Sequence, residues 1–526
     1  MAKFNITDKR TRHTGAAIHS AAHPAARTYN DAPGFSRNTK SELFLLAAST
    51  FAGEDTHYES GLQRNDRLAI LAAAVAKADP QWLAGFVPYL RNTLNLRHAP
   101  LLVAVEGARA MVQARIPGAR HLIDSALVRA DEPEELMAYW VASYGQKMPH
   151  GIKRGIGDAL SRLYTQRNVV RYDNNMSRPW TFGGVIEYVG PRPELPFQTA
   201  LWKYLVTKSK HRKDLEIPET LGMIQSFTDL QREALTRPEA LLNTARVGLA
   251  GMRWQDVVSL AGKRLSAKDV WTAVAPTMEY MAKLRNLRNF DQAGLSGDLT
   301  SGIAAELADP HNVARSRQLP MRFLSAYRSV VSNNWSLALE RALDASLANV
   351  PKLPGRVLVL IDTSYSMNDK LSAKSTLKRW DAAVLFGLAV ARNCDQADVV
   401  SFSTTSRVFP AVAGESLLRS IDRWTRGGFF LNNSTDTRGA IQGHYRGHDM
   451  VIIITDEQAD SHDGSDIVTG IVPDNKLTVT FNLAGYPKGH MPSGDSRYRV
   501  TVGGLNDAAF HLLPAVGVQT VGKWPF

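Results

Sequence analysis

The 526-residue sequence holds a single cysteine, Cys394, so no internal disulfide can form. One thiol in a chain of this length suits a reducing compartment, and the start MAKFNITDKR lacks the apolar core of a secretory signal, so a cytoplasmic location is expected. No uncharged apolar run approaches the roughly 20 residues that cross a bilayer, which argues against a membrane-spanning role. The chain also lacks GxGxxG and the GxxxxGK loop that ends in Ser or Thr, which removes the phosphate cradles of dinucleotide and P-loop enzymes. HExxH and paired-cysteine zinc spacings are missing as well. Cys394 lies near the end of an amphipathic helical pattern and reads as structural rather than nucleophilic. The expectation is a binding protein, not an enzyme.

Hydrophobic residues make up 44% and charged residues 21%, ordinary values for globular protein. A chain this long exceeds one core, so at least two domains are expected. The net charge is +12, and its distribution is uneven. Residues 351–526 carry 18 Lys+Arg and 17 Asp+Glu, whereas residues 1–350 carry 44 and 33. A basic excess confined to the first two thirds suggests a polyanionic partner, nucleic acid or an acidic membrane surface. A solvated basic surface with no partner fits the same count.

Residues 1–40 are polar, rich in Ala, His and Arg, and read as a partly ordered arm. Beyond them, 41–349 has helical texture. Leu68, Leu71, Ala72 and Val75 recur at helical spacing, and Asp79-Pro80 opens a helix burying Trp82, Phe86 and Leu90. His98-Ala99-Pro100 marks another boundary. Paired amphipathic helices of this kind predict an α-solenoid of HEAT type. Residues 172–196, rich in Gly, Pro and aromatics, read as a long loop carrying at most a short hairpin. VPKLPG then introduces a change of texture over 350–526. RVLVLID (356–362), DVVSFS (398–403), MVIIIT (450–455) and LTVTFNL (477–483) are short, β-branched and apolar, as strands of a parallel sheet buried on both faces are. Strands alternating with helices predict a doubly wound α/β domain.

The first of these strands ends in Asp362-Thr363-Ser364-Tyr365-Ser366, the pattern DxSxS. Ligands of open α/β sheets bind beyond the carboxyl ends of the strands. Thr435 and Asp456 fall in two further loops expected at that edge. Asp362, Ser364, Ser366, Thr435 and Asp456 together offer two carboxylates and three hydroxyls, a set suited to one hard divalent cation, Mg²⁺ above all. The alternative is that Asp362, Ser364 and Ser366 only cap a helix. Asp456-Glu457 has no further carboxylate cluster to make it a nuclease centre.

Three basic clusters stand on the helical part. The first, GQKMPHGIKRGIGDALSRLY (145–164), places Lys147, His150, Lys153, Arg154 and Arg162 mostly outside a buried stripe of Ile152, Ile156, Ala159 and Leu163. VTKSKHRK (206–213) gathers Lys208, Lys210, His211, Arg212 and Lys213. MAKLRNLRNF (281–290) is expected to bury Met281, Leu284 and Leu287 and to leave Lys283, Arg285 and Arg288 outside. Such clusters bind phosphates without reading sequence, although each alone also fits a solvated helix face or a salt-bridge partner.

Taken in order, KMPHGIKRGIGDALSRLY, VTKSKHRK, MAKLRNLRNF, SRQLPMRFLSAY (316–327) and LVLIDTSYSM (358–367) resemble the Ro (TROVE) family of ribonucleoproteins, bacterial Ro-related proteins included. The strand-end DxSxS with a later Thr and Asp resembles the metal-ion-dependent adhesion site of von Willebrand A domains. The resemblance implies a monomeric ring, a HEAT-like solenoid closed by a Rossmann-like A domain. It implies small Y RNAs on the outer surface, with contacts at Lys208, Lys210 and Arg212. It also implies single-stranded 3′ ends of misfolded or precursor RNAs in a central hole, and exoribonucleases as partners. The family's Trp-Ser-His segment is absent here, where DLEIPETL stands. A metal-dependent protein-interaction scaffold with no RNA role is the alternative.

Overall fold

The computed structural model describes residues 26–27, 33–34, 38–49, 61–173, 179–210, 215–330, 332–370, 377–456, 466–483, 490–491, 498–503, 505, 509–519 and 524–526. Most of the arm at 1–40 lies outside these residues. So do His211, Arg212 and Lys213. The chain divides into two compact units. Among the described residues, one holds 72–93 and 100–303, and the other holds 26–71, 94–99 and 304–526. Of the boundaries read from the sequence, 40/41 falls inside the helix Thr39–Ser49, and 349/350 falls between the short helical turn Ser346–Asn349 and the strand Leu353–Asp362.

The first unit is helical, as expected for the solenoid. Asp79 accepts the Trp82 N–H at 3.0 Å as N-cap, and Pro80 occupies the first turn of the helix Pro80–Asn92. Trp82, Phe86 and Leu90 are all buried on its inner face. Successive helices pack in neighbouring pairs. Ala119–Ala126 lies against α1 (His150–Leu163), and α2 (Gln166–Tyr172) lies against Gly222–Thr236. α3 (Phe182–Val189) pairs with α4 (Pro196–Lys210), and α5 (Trp254–Ala261) with α6 (Ala267–Val274), which also touches α7 (Tyr280–Ala293).

α3 corrects the reading of 172–196 as loop or hairpin. Thr181 caps it by accepting the Gly184 N–H at 3.1 Å, and Gly190 ends it in the left-handed region at φ 64°. Phe182, Val185 and Ile186 are buried on one face, with Phe182 stacked on Tyr164 at 4.1 Å. The glycines that suggested a break permit a close crossing instead. A Cβ at Gly183 would lie 2.0 Å from the Leu205 carbonyl oxygen of α4.

The second unit is built on a mixed six-stranded sheet: β1 (Leu353–Asp362), β2 (Cys394–Phe402), β3 (Ser406–Phe409), β4 (Met450–Thr455), β5 (Leu477–Asn482) and β6 (Arg499–Gly503). Spatial order is β3-β2-β1-β4-β5-β6, with all neighbours parallel except the antiparallel edge pair β2–β3. This is the doubly wound arrangement expected. Val357–Ile361 of β1 and Val451–Ile454 of β4 are fully buried, which explains their unbroken apolar runs. α8 (Arg379–Arg392) packs on β1 and β2, and Gly387 allows the approach, since a Cβ there would meet Ile361 at 2.6 Å. Helices before the sheet in sequence join this unit too. Thr39–Ser49 packs beside β6, and its Phe44 ring lies 5.5 Å from Trp524.

The helical unit contains a fully buried ion pair. Arg91 Nη2 donates to both Glu132 oxygens at 2.7 and 2.8 Å, and Glu132 also accepts the Val128 and Arg129 N–H groups. Removing one partner strands a buried charge. Arg91→Met is therefore expected to cost about 3–5 kcal/mol in urea unfolding. Arg120→Met, which removes the exposed pair Arg120–Asp158, is expected to leave the urea midpoint nearly unchanged.

Candidate functional site

The sheet reverses its winding between β1 and β4, so the loops after these strands flank the topological switch point. Asp362 ends β1 and Asp456 follows β4, both with no solvent exposure. Oδ1 of Asp362 accepts the Ser364 N–H at 2.8 Å, and Oδ2 accepts the Thr455 hydroxyl at 2.5 Å. The hydroxyls of Ser364 and Ser366 lie 3.3 Å apart. Thr435 is buried in a segment held at both ends. Asn432 N–H donates to the Thr363 carbonyl at 3.0 Å, Tyr365 N–H to the Asn433 carbonyl at 3.1 Å, and Asp436 N–H to the Ser403 carbonyl at 2.9 Å. Asn432 and Asn433 adopt positive φ to make this turn, which Asn tolerates better than most residues. All five residues named from the sequence thus lie at a strand end or in loops brought to one edge of the sheet.

Two members of the cluster were not anticipated. Arg379, at the start of α8, donates from Nη1 to Asp456 Oδ2 at 2.9 Å and to the Ser366 carbonyl at 3.3 Å. Its side chain is only 7% exposed. The available signal was a charge in Lys378-Arg379-Trp380, just before the buried stripe of α8, yet nothing in its spacing pointed to Asp456. Thr455, read only as the end of a strand, is a second such residue. The other Asp456 oxygen, Oδ1, is buried without a hydrogen-bond partner among the described residues.

Two buried carboxyl groups near one another resist double ionisation. Burial and, secondarily, the Asp456 charge push Asp362 up to about 7, against the opposing hydrogen bonds from Thr455 and Ser364. The donor set fits a hard divalent cation: carboxylates, hydroxyls and one orphaned carboxylate oxygen, all oxygen. Among the described residues no group of three or more His, Cys, Asp or Glu side chains is placed to hold a metal. The fit therefore depends on the hydroxyls.

The basic residues named from the sequence separate into three groups. Lys147, His150, Arg154, Arg285 and Arg288 are exposed and have no side-chain partner among the described residues. Others are engaged. Lys208 pairs with Asp173 at 3.0 Å and Lys210 with Glu187 at 2.5 Å. Lys153 lies 4.0 Å from the Tyr188 ring centroid. Arg162 caps the helix Ala119–Ala126, donating to the Asp124 and Leu127 carbonyls at 2.7 and 2.6 Å. Lys283 corrects its expected exposure, being only 4% exposed, while Met281 is half-buried. α7 turns a face defined by Leu284, Leu287 and Phe290 inward, and that face includes position 283.

Cys394 opens β2 rather than closing a helix. It is half-buried, its Sγ donates to the Val390 carbonyl at 3.2 Å, and burial pushes the thiol up to about 12. No helix among the described residues is long and apolar enough to cross a membrane.

Residues 252–352 match the family model of the TROVE domain. Among solved structures, the chain is similar to the Ro (RSR) protein of Deinococcus radiodurans, with 15% identity and a TM-score of 0.69. The match covers 92% of this chain and 100% of that one, and at this identity it is a likeness of fold. No curated protein sequence matches the chain.

The raised Asp362 carboxyl has a sign that can be tested. With a folded-state value near 7, its stabilising contribution is full below the ordinary carboxylate range and is lost as pH rises through about 7. Asp362→Asn keeps an acceptor for the Ser364 N–H and removes the ionisation. In EDTA, its Tm is expected to exceed that of the wild type at pH 8 by more than at pH 4. Circular dichroism melts at the two pH values check this, and a pH-independent offset would contradict it.

Proposed function

Because residues 252–352 carry a TROVE domain and the chain has the fold of a Ro protein, we propose that it is a non-catalytic, RNA-binding scaffold of cytoplasmic RNA quality control. The observation that carries this reading is the set of exposed basic side chains on the helical unit that have no partner among the described residues: Lys147, His150, Arg154, Arg285 and Arg288. No acidic side chain among the described residues pairs with them, and RNA phosphates supply the missing charge. The scaffold takes small structured, Y-like RNAs on this basic surface and the single-stranded 3′ ends of misfolded or precursor RNAs, and passes RNA to an exoribonuclease partner. Lys208 and Lys210 contribute only by exchanging Asp173 and Glu187 for phosphate.

In this proposal the sheet edge is a metal-ion-dependent adhesion site of von Willebrand A type. Ser364, Ser366 and Thr435 hold Mg²⁺ with Asp362 and Asp456, and the ion supplies a Lewis-acidic position for an acidic oxygen of a partner. Arg379 orients Asp456 and offsets one negative charge, so the loaded site keeps a net positive charge. A protein-interaction scaffold without an RNA role is the second reading. It is favoured by the orphaned Asp456 Oδ1 and by Tyr365, which is 74% exposed within the DxSxS loop.

Filter binding at increasing salt tests the first reading. Affinity for structured RNA is expected to fall steeply, and the double variant Arg285→Ala/Arg288→Ala is expected to weaken binding and flatten the log–log slope by about 1.5–2. Salt-independent binding, or none, overturns it. Asp362→Ala separates the two readings. RNA affinity is expected to stay within about twofold of the wild type while Mn²⁺ binding, followed by calorimetry, is lost.

A further inference from the structure

The helical unit contains a cavity of about 480 Å³ that none of the residues assigned to RNA above helps to line. Its size is that of an ordinary small-molecule site. Arg129, Arg167, Arg171 and Arg253 reach its wall, together with Tyr172 and Trp254. Glu279 is the sole acidic side chain lining it.

The four arginines are not equivalent. Arg129 is held by Asp131 at 3.1 and 3.2 Å, and Arg253 by Asp256 at 3.2 Å through both Nε and Nη2. These two guanidinium groups are fixed, and both lie over the Tyr172 ring, at 5.4 and 5.7 Å from its centroid. Arg167 and Arg171 have no carboxylate among the described residues, and Arg171 Nε is buried without a hydrogen-bond partner. They stand four apart on α2, so they share one helix face and repel one another. The carboxylate that follows them, Asp173, is already used by Lys208 and by the Phe182 N–H. An anion between Arg167 and Arg171 would relieve the repulsion and satisfy the buried N–H. Planar surface lies beside them. Trp254, at the cavity wall, is held 5.7 Å from Trp271.

An anion site next to aromatic faces matches a base joined to a phosphate. We propose that this cavity binds one nucleotide unit, its phosphate between Arg167 and Arg171 and its base against Trp254. Base–aromatic stacking tolerates any base, so little base preference is expected. The unit is either a free mononucleotide or one residue of a single RNA strand. The cavity is separate from the exposed basic residues named above, so the proposal stands or falls without them.

Calorimetry with the full-length protein tests it, using AMP, adenosine, inorganic phosphate and a pentaadenylate as probes. AMP or the pentaadenylate is expected to bind at least tenfold more tightly than adenosine or phosphate. Arg167→Met, at an exposed position, and Arg171→Met are each expected to weaken that binding at least tenfold, with the circular dichroism spectrum and Tm of Arg167→Met unchanged. Tight AMP binding that pentaadenylate fails to displace identifies a free nucleotide as the ligand. Tight pentaadenylate binding with weak AMP binding, lost in Arg167→Met, identifies a strand of RNA. If neither probe outbinds adenosine, or Arg167→Met binds as well as the wild type, the proposal is overturned. Arg285→Ala/Arg288→Ala is expected to bind AMP as the wild type does, which distinguishes failure here from failure of the wider RNA reading.

Discussion

A parallel sheet covered on both faces has no place for polar chemistry except at its strand ends. In the second unit Val357–Ile361 of β1 and Val451–Ile454 of β4 are fully buried, so the donors and acceptors that are to meet a ligand beyond them emerge where these strands stop. Strand order does the rest. Because the winding reverses between β1 and β4, their two following loops diverge, and the carboxyl groups at their ends face a common gap. The loops around 364–366 and 431–436 fold over that gap through backbone hydrogen bonds, independent of any ligand. Position comes from the sheet, and the side chains supply only the chemistry.

The molecule handles buried charge in two different ways. Glu132 is saturated: two contacts from Arg91 and two backbone N–H groups leave its oxygens fully engaged, which is the pattern of a structural anchor. Asp456 is half-satisfied, with one oxygen on Arg379 and the other without a partner among the described residues. Leaving a buried polar atom unpaired costs free energy of the order of 1–3 kcal/mol, and folds rarely retain such a cost without use. The contrast separates a carboxylate that holds the fold from one that awaits something. Arg171 at the wall of the helical cavity shows the same incompleteness in a cation.

Periodicity and strand ends were legible in the sequence, and contacts between distant segments were not. Apolar spacing marked the helix Pro80–Asn92 with its Asp79 cap, and unbroken β-branched runs marked β1, β4 and β5. The residues that end those runs led directly to Asp362 and Asp456. Arg379 escaped because its partner lies 77 positions away, a pairing no local pattern encodes. α3 escaped for a different reason. Gly183-Gly184 reads as a breaker when its neighbours are unknown, yet Gly183 serves the contact with Leu205. Lys283 was misplaced because charge was taken as a guide to exposure, while the face of α7 was set by its apolar residues. The cavity arginines come from three stretches, around 129, 167–171 and 253, and only the fold shows that they meet.

Cys394 has a practical consequence. Its thiol, hydrogen-bonded to Val390 and raised to about 12, is almost entirely un-ionised at neutral pH and is therefore a poor nucleophile toward alkylating probes. The natural chain thus approximates a cysteine-free background. A thiol introduced at an exposed position would carry a dye or spin label selectively, so distances between chosen points can be followed without first replacing the native residue.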